Sequence, residues 1–429
     1  MERLCAGKAS FLISFLVRAG YLEQGGETVG VFNPYTKQEA SVKILHTGDW
    51  HIGKIVNQVY MTEDQAYILE DFLRLIESER PNALVITGDL YDRAVPPVEA
   101  VELLDRVFSR VVLDYHVPVL AIAGNHDSPD RIGFASGILE ARGMHVEGRF
   151  RADCRKVVLS DEHGPVNFYL VPYVQPAVVR ELYSQEDIAD HDGAMKAVID
   201  RIKSAWNPAE RNVLICHGFI RGGEEPEVSE SEKPLSIGGT DYVDVRYFDG
   251  FTYTALGHLH GPQKVGSDRV RYAGSLLKYS FSEVKQHKSV SLVHLDGDGS
   301  VRVELKELSP RRDMRKITGQ LKTLLDPAVY QGTNTEDYLH VVLTDEGEIL
   351  DPMNRLRSVY PNVLSLELEG KKRQNQLART AAGEGYKSKG KLELFSDFYT
   401  SITGRTFTDE REKSVARVIA AVEAEERGE

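Results

Sequence analysis

Five times along this chain a short apolar run breaks off into a polar turn carrying a carboxylate, an amide or an imidazole. Asp49 and His51 end the run in VKILHTGDWHIGK, Asp89 follows ALVI, and Asn125 and His126 follow the run that closes at Ile122. His217 follows VLIC, and His258 and His260 stand in GHLH. Each has a bland reading taken alone, because Gly-Asp is commonly a turn and a lone His beside Gly is commonly a core or capping residue. Coincidence at five successive run ends is much harder to arrange, so the five are read together as a metal site. Asp, Asn and His without Cys make a mixed oxygen and nitrogen shell. Such a shell suits Mn, Fe or Zn better than Ca and excludes a thiolate zinc site. Asp49, His51, Asp89, Asn125, His217, His258 and His260 are too many ligands for one ion that keeps open positions. They suit two ions about 3.5–4 Å apart sharing a carboxylate, the arrangement that hydrolyses phosphate esters. His126 adjoins a ligand without being needed as one, so it is free to bond a phosphate oxygen or protonate a leaving group.

Buried strands are what deliver such side chains to one rim. The runs at Val42–Leu45, Ala83–Ile86, Val117–Ile122, Val213–Cys216 and Phe251–Leu256 read as strands. On extended chain, Asp49 and His51, two apart, would point the same way. Helices are expected between the early runs: Thr62 to Arg80, with Thr62 as its cap, and about Val98 to Leu113. Strand–helix–strand alternation argues for parallel pairing, with ligands gathered at the carboxyl ends of the strands. Residues 157–171 read as a hairpin, 181–206 as a helix, and Val270–Ala273 and Ser289–Leu295 as further strands. Between His217 and the fifth run lies an acidic excursion, GGEEPEVSESEKP. Past the basic run SPRRDMR, a small α+β pattern has strands at Tyr338–Leu343 and Val363–Leu368, with helices near 318–326 and 348–358. Leu392 to Glu426 reads as two helices, the first with an apolar face of Leu392, Leu394, Phe395, Phe398 and Tyr399.

A chain of 429 residues calls for more than one folding unit. The expected organisation is an extension over 1–41 (or an upstream reading of the start site), a catalytic domain over 42–308 and a small α+β domain over 309–370. A flexible connection over 371–390 and a helical segment over 391–429 complete it. The net charge is −13. A nucleic-acid role would therefore need a local patch, a metal site or a partner. Arg311, Arg312, Arg315 and Lys316 offer such a patch, though a solvated linker accounts for them equally well. Cys5, Cys154 and Cys216 have neither metal-type spacing nor an even count, which fits a reducing cytoplasm. No run is long enough for a membrane span. FLISFLV near the start lacks a clean cleavage site after it.

In this order, DWH, GDLYD, GNHD, HG and GHLH resemble the calcineurin-like metallophosphoesterases. The resemblance implies an α/β sandwich of two mixed sheets flanked by helices. It places Asp49, His51, Asp89 and His260 on one ion, and Asp89, Asn125, His217 and His258 on the other, with Asp89 bridging. It gives His126 the task of stabilising the transition state. GGTDYVDVRYFDGFTYTALGHLHGPQKV and YAGSLLKYSFSEVKQHKSV narrow the likeness to bacterial nuclease subunits that act with an SMC-like ATPase. Those relatives imply two Mn2+ ions, exonuclease action on double-stranded DNA ends and endonuclease action on hairpins. They further imply a small domain that caps DNA, C-terminal helices that dock on the ATPase coiled coil, and a nuclease homodimer within a heterotetramer. Asp92 departs from archaeal and eukaryal relatives, which carry a substrate-positioning His at that place; bacterial members commonly have Asp.

Two rivals share the metal motifs. One is a phosphodiesterase or phosphatase for small or protein substrates, which would need neither a cap-like domain nor docking helices. The other is a metal-stabilised scaffold, in which some ligands would be expected to have been lost.

Overall fold

The computed structural model describes residues 41–233, 235, 242–346, 349–369, 390–403 and 406–427. The expectations on 1–40 and 371–389 lie outside these. Two six-stranded mixed sheets stack face to face. The first runs in the order Val301–Glu307, Ser289–Asp296, Ser41–Thr47, Ala83–Ile86, Val119–Ile122, Met144–Glu147. The second runs Gln263–Val265, Ser267–Tyr272, Tyr253–Gly257, Arg211–His217, Gly164–Val171, Arg155–Asp161.

The solid apolar runs are explained by burial on both faces. Val42, Ile44, Ala83, Val85, Leu120 and Ile122 of the first sheet meet Phe168, Leu170, Val213, Ile215, Tyr253 and Ala255 of the second. The residues in between face outward: Tyr169, Leu214, Cys216, Leu256 and Tyr272 pack with Val198, Ile199 and Ile202 of helix His191–Ala205. Each such aliphatic side chain withdrawn from water contributes about 1.5–3 kcal/mol, and the burial continues to the last residue of strands Ala83–Ile86, Val119–Ile122 and Tyr253–Gly257.

The strands Ser41–Thr47, Ala83–Ile86 and Val119–Ile122 pair in parallel, as do Arg211–His217 and Tyr253–Gly257. Parallel pairing puts their carboxyl ends on one rim of each sheet. Thr87 joins the sheets just beneath that rim: its hydroxyl lies 3.2 Å from the Thr47 carbonyl and 3.1 Å from that of Leu256.

Several elements differ from the expectations. Thr62 does not cap its helix; helix Thr62–Glu79 is preceded by Met61, whose carbonyl accepts the Gln65 N–H at 2.8 Å. Helix Val98–Ser109 loosens into a wider π turn over Arg110–Asp114. The helix expected over 181–206 is two helices, Pro176–Tyr183 and His191–Ala205. Ser184 takes a left-handed conformation that ends the first, and the Asp190 carboxylate caps the second through the Gly193 N–H. Strand Val301–Glu307, unforeseen, pairs with Ser289–Asp296 and forms the edge of the first sheet.

The chain divides into two compact units, through Arg315 and from Lys316. In the first, Arg312 binds the buried Asp64 carboxylate at 3.1 Å and Arg311 binds Glu63 at 3.3 Å. Part of the basic run is thus engaged by carboxylates of its own unit. The division falls on strand Met314–Gly319, which belongs to a three-stranded sheet with Tyr338–Leu343 and Val363–Leu368. Helices there are shorter than expected: Leu321–Leu324, Pro327–Tyr330 and Pro352–Arg357. Lys391–Thr403 and Asp409–Arg427 form the anticipated pair of C-terminal helices. Among the described residues no helix is long and apolar enough to cross a membrane.

Candidate metal centre

Asp49, His51, Asp89, His217, His258 and His260 are all buried at the rim where the two sheets meet. Backbone bonds hold the loops together: the Asp49 N–H donates to the Gly88 carbonyl at 3.0 Å and the His51 N–H to the Asp89 carbonyl at 2.9 Å. The Asp49 carboxylate accepts the His258 N–H at 3.0 Å, across the two sheets. Trp50 anchors its loop by packing edge-on to Phe72 and against Phe108. Gln65 clamps the same loop, donating to the His51 carbonyl at 2.7 Å and accepting the Gly53 N–H at 2.9 Å.

One expectation is corrected by the backbone. Asp49 and His51 are not carried on extended chain. Their φ values are 51° and 47°, and Asp89 and His258 also have positive φ, at 51° and 118°. Four metal-type side chains therefore sit in a backbone region that costs of order 1–3 kcal/mol per non-glycine residue. The glycines nearby serve close approach rather than freedom alone. A Cβ at Gly124 would collide with the Asp89 carboxylate, and one at Gly88, itself at φ 96°, with the Gly124 backbone.

The polar atoms converge in three overlapping groups: Asp49, His51 and His260; His51, Asp89 and His126; and Asp49, Asp89 and His217. Asn125 joins them, its Oδ1 lying 2.8 Å from His217 Nε2 and 3.3 Å from His258 Nδ1. The seven residues singled out as ligands thus meet at one place, and His126 stands within reach of an ion shared by His51 and Asp89.

The donor set fits divalent cations for a specific reason. His217 Nδ1 lies 2.8 Å from the Thr87 carbonyl. A carbonyl only accepts, so Nδ1 carries the proton and Nε2 of the neutral ring presents a lone pair to the Asn125 oxygen. His51 Nε2 and His260 Nε2 face one another at 3.0 Å, and His51 Nδ1 is buried without a hydrogen-bond partner. With the His51 proton on Nδ1, 3.7 Å from the Asp92 carboxylate, the two Nε2 lone pairs would both be available to one cation. Electrostatics agrees. Burial lowers the histidines below their ordinary value, His217 to about 4, which keeps the rings neutral. Burial also raises Asp49, and raises Asp89 to about 6. Two buried carboxylates stay ionised readily only with positive charge beside them.

His126 is held by both its backbone and its ring. Its N–H donates to Asp89 Oδ1 at 2.9 Å, and its Nδ1 lies 2.8 Å from the Asp92 carbonyl. Asp92 therefore orients His126 through its main chain. Its side chain accepts from Lys54 Nζ at 2.8 Å and lies 3.7 Å from His51 Nδ1. Lys233 Nζ comes to 3.4 Å from His126 Nδ1. Asp127 collects the N–H groups of Leu90, Tyr91 and Gly124, tying the Asp89 turn to the Asn125 turn.

The sequence reading missed Gln65, Thr87, Asp127, Ser231, Glu283 and Lys288 as supports. Asp127 had a signal in its place directly after Asn125-His126. The others lie far along the chain from the side chains they hold, and no local pattern marks them.

Residues 42–262 match the family described as calcineurin-like phosphoesterase. Residues 310–403 match SbcD_C, described as the type 5 capsule protein repressor C-terminal domain. Among solved structures, similarity extends to TT1561 of Thermus thermophilus, at 13% identity over 62% of this chain and 99% of that one, TM-score 0.35. It also extends to the phosphopantetheinyl hydrolase PptH of Mycobacterium tuberculosis, at 15% identity over 57% and 92%, TM-score 0.31. A third is a dimetal phosphatase from Danio rerio, at 13% identity over 64% and 98%, TM-score 0.37.

Proposed function

The chain belongs to the calcineurin-like phosphoesterases, and from that premise we propose that it is an SbcD-type DNA nuclease subunit, acting with an SbcC-type SMC-like ATPase in DNA repair, recombination and replication. The observation that carries this reading is the conjunction of a complete Asp/Asn/His cluster in the first unit with the SbcD_C match over residues 310–403. Under it, residues 42–308 form the nuclease domain, 309–370 cap the DNA, 371–390 connect, and 391–429 dock on the ATPase. Two divalent ions, Mn2+ in this reading, are held by Asp49, His51, Asp89 and His260 and by Asp89, Asn125, His217 and His258. When bound, they supply the activated water nucleophile and neutralise charge on the scissile phosphate.

The chain's own residues complete the chemistry. His126 Nδ1 donates to the Asp92 carbonyl, so in the neutral ring Nε2 can only accept. Donation to a phosphate or leaving oxygen requires the imidazolium. Burial lowers the His126 pKa and the neighbouring Asp89 carboxylate raises it; an anionic phosphate acts in the same upward direction. Lys233, 3.4 Å from Nδ1, opposes protonation of the ring and is itself a cation beside it.

The deciding experiment is cleavage of a DNA hairpin and of a blunt duplex with Mn2+, with and without the co-expressed ATPase. Hairpin opening and end digestion are expected. Hydrolysis of small phosphate esters, with DNA left intact in both arms, would overturn the nuclease reading in favour of a small-molecule or protein phosphoesterase.

Two predictions concern partners. The helices Lys391–Thr403 and Asp409–Arg427 cluster Phe407 with Phe395 and Tyr399, at 5.9 and 5.4 Å between ring centres, while Phe398 is 59% exposed. An amphipathic helix with aromatic side chains in water suits docking on a coiled coil. Leu394→Asp with Phe395→Asp is expected to abolish co-purification of the ATPase and to spare Mn2+-dependent cleavage by the isolated subunit. Unchanged co-purification would remove the docking claim. Phe134 and Ile138 are 79% and 78% exposed on the short segments following Asn125 in the chain. We assign to this face the contact with a second copy in the homodimer. Phe134→Asp with Ile138→Asp should shift the sedimenting species from dimer to monomer.

A further inference from the structure

His260 is gripped at three points. Glu232 accepts its N–H at 2.7 Å, Lys288 donates to its carbonyl at 2.7 Å, and its Nδ1 lies 2.6 Å from the Ser231 hydroxyl. The two loop residues belong to the acidic excursion after His217, a stretch whose charge and polarity alone suggest nothing but a solvated loop. Ser231 is in turn 2.5 Å from Glu283 Oε1, which also accepts the Ser229 hydroxyl at 2.8 Å. Glu283 is fully buried and its other oxygen meets Lys288 Nζ at 2.6 Å. Lys288 is itself buried, with Gln286 Oε1 at 2.7 Å and Ser275 Oγ at 3.0 Å also around its three ammonium protons.

Proton counting gives this chain a direction. A hydroxyl has one proton to donate. Ser231 stands between an imidazole nitrogen and a carboxylate kept ionised by a lysine at contact distance. The Ser229 hydroxyl also lies 2.9 Å from Ser231 Oγ, but its own proton goes to Glu283. A charge-assisted bond to the carboxylate is the strongest of the three choices, so the Ser231 proton goes to Glu283 as well. The Ser231 oxygen can then only accept from His260, and Nδ1 must carry a proton. The other nitrogen, Nε2, is left as a lone pair, and it is the one that faces His51 across the centre.

We propose that Ser231 is a positioning residue that relays the Glu283 carboxylate to His260 and so fixes the imidazole in the tautomer able to bind a metal ion. The proposal rests on the reading of this cluster as a metal centre. It differs from the usual arrangement, in which the carboxylate or carbonyl touches the ligand histidine directly. Glu283 lies 3.5 Å from Nδ1, so the direct contact is long and the hydroxyl bridges it. The acidic loop acquires a task by this route: one of its serines sets a ligand of the centre.

The test uses full-length protein with Ser231→Ala and Ser231→Thr. Nitrogen NMR of the metal-free protein reads the tautomer of His260, whose signals are those missing in His260→Gln. The wild type and Ser231→Thr should show a proton on Nδ1 alone. In Ser231→Ala the tautomer should become mixed or shift to Nε2. Calorimetric titration with Mn2+ should show one of two sites weakened by about 10–100-fold in Ser231→Ala, the usual loss on removing a support of a metal ligand, and near-normal binding in Ser231→Thr. An unchanged tautomer in Ser231→Ala would overturn the proposal, as would wild-type affinity at both sites. Failure of the wild type to bind Mn2+ would instead sink the metal-centre reading, while the metal-free tautomer would still decide the role of Ser231.

Discussion

Replacing His126 with Gln is expected to leave two equivalents of metal in the protein and to lower DNA cleavage by about 10²–10⁴-fold, the usual contribution of a positioned acid–base group. Any residue at 126 keeps the backbone N–H that donates to Asp89 Oδ1, so the turn and the neighbouring Asn125 stay in place. Gln also retains an amide N–H for the Asp92 carbonyl now facing His126 Nδ1. It cannot become a cation or transfer a proton. The pH dependence follows in sign: donation needs the imidazolium, so the contribution is lost as pH rises through the His126 pKa. Burial sets that pKa low in the free protein. The His126→Gln variant should lack this alkaline fall. His217→Ala is the contrast, because His217 presents its free nitrogen to Asn125, and its removal should take metal together with activity. Metal content by mass spectrometry beside hairpin cleavage separates the two outcomes. His126 also stands within ligand distance of His51 and Asp89. Loss of a full equivalent in His126→Gln would therefore make it a ligand and refute its role as a donor to the phosphate or leaving oxygen.

Asp89→Asn is expected to abolish metal binding while leaving the metal-free fold as stable as before, or more so. Asp89 Oδ1 accepts the His126 N–H, so the Asn oxygen would take that place. The amide nitrogen would then stand where Oδ2 now stands, 3.6 Å from His51 Nε2 and 3.7 Å from His217 Nε2. An amide nitrogen there carries neither the negative charge nor the lone pair that a cation needs from this position. Cleavage should fall at least about 10³-fold, since an ion supplies several kcal/mol of transition-state stabilisation and roughly 1.4 kcal/mol is one decade. The stability signature is distinct. Burial raises the Asp89 pKa from 3.8 to about 6. The folded state therefore holds a proton that the unfolded chain has released, and this group weakens the metal-free fold as pH rises through that window. Asp89→Asn removes the penalty, so its melting temperature should gain on that of the metal-free wild type as pH rises from about 4 to about 7. A variant that unfolds, or that still binds two ions, would contradict this account.

The chain announces much of this centre in one dimension. Strands buried on both faces need continuous apolar runs, and a run must end where the chain meets water. Polar residues at those ends are conspicuous for that reason, and Asp49, His51, Asp89, Asn125, His217, His258 and His260 could all be picked out with no knowledge of their contacts. Local periodicity likewise marked helix Thr62–Glu79 and the two C-terminal helices. It misjudged residues 181–206, where apolar spacing runs across a break made by a left-handed serine and a capping aspartate.

What no pattern carried was the manner in which these residues meet. Asp49 and His51 share a site because both adopt positive φ, a conformation that only packing of the surrounding turns can impose on residues with a Cβ. The bond from Asp49 to the His258 N–H spans 209 residues, and that from Ser231 to Glu283 spans 52. Such partners are chosen by the stacking of two sheets and by the demand that every buried polar atom be satisfied. Residue types and their order are written in the sequence because chemistry and solvent act on each run locally. The tautomers, the supporting carboxylates and the strained turns arise only when distant segments are pressed together and must share protons.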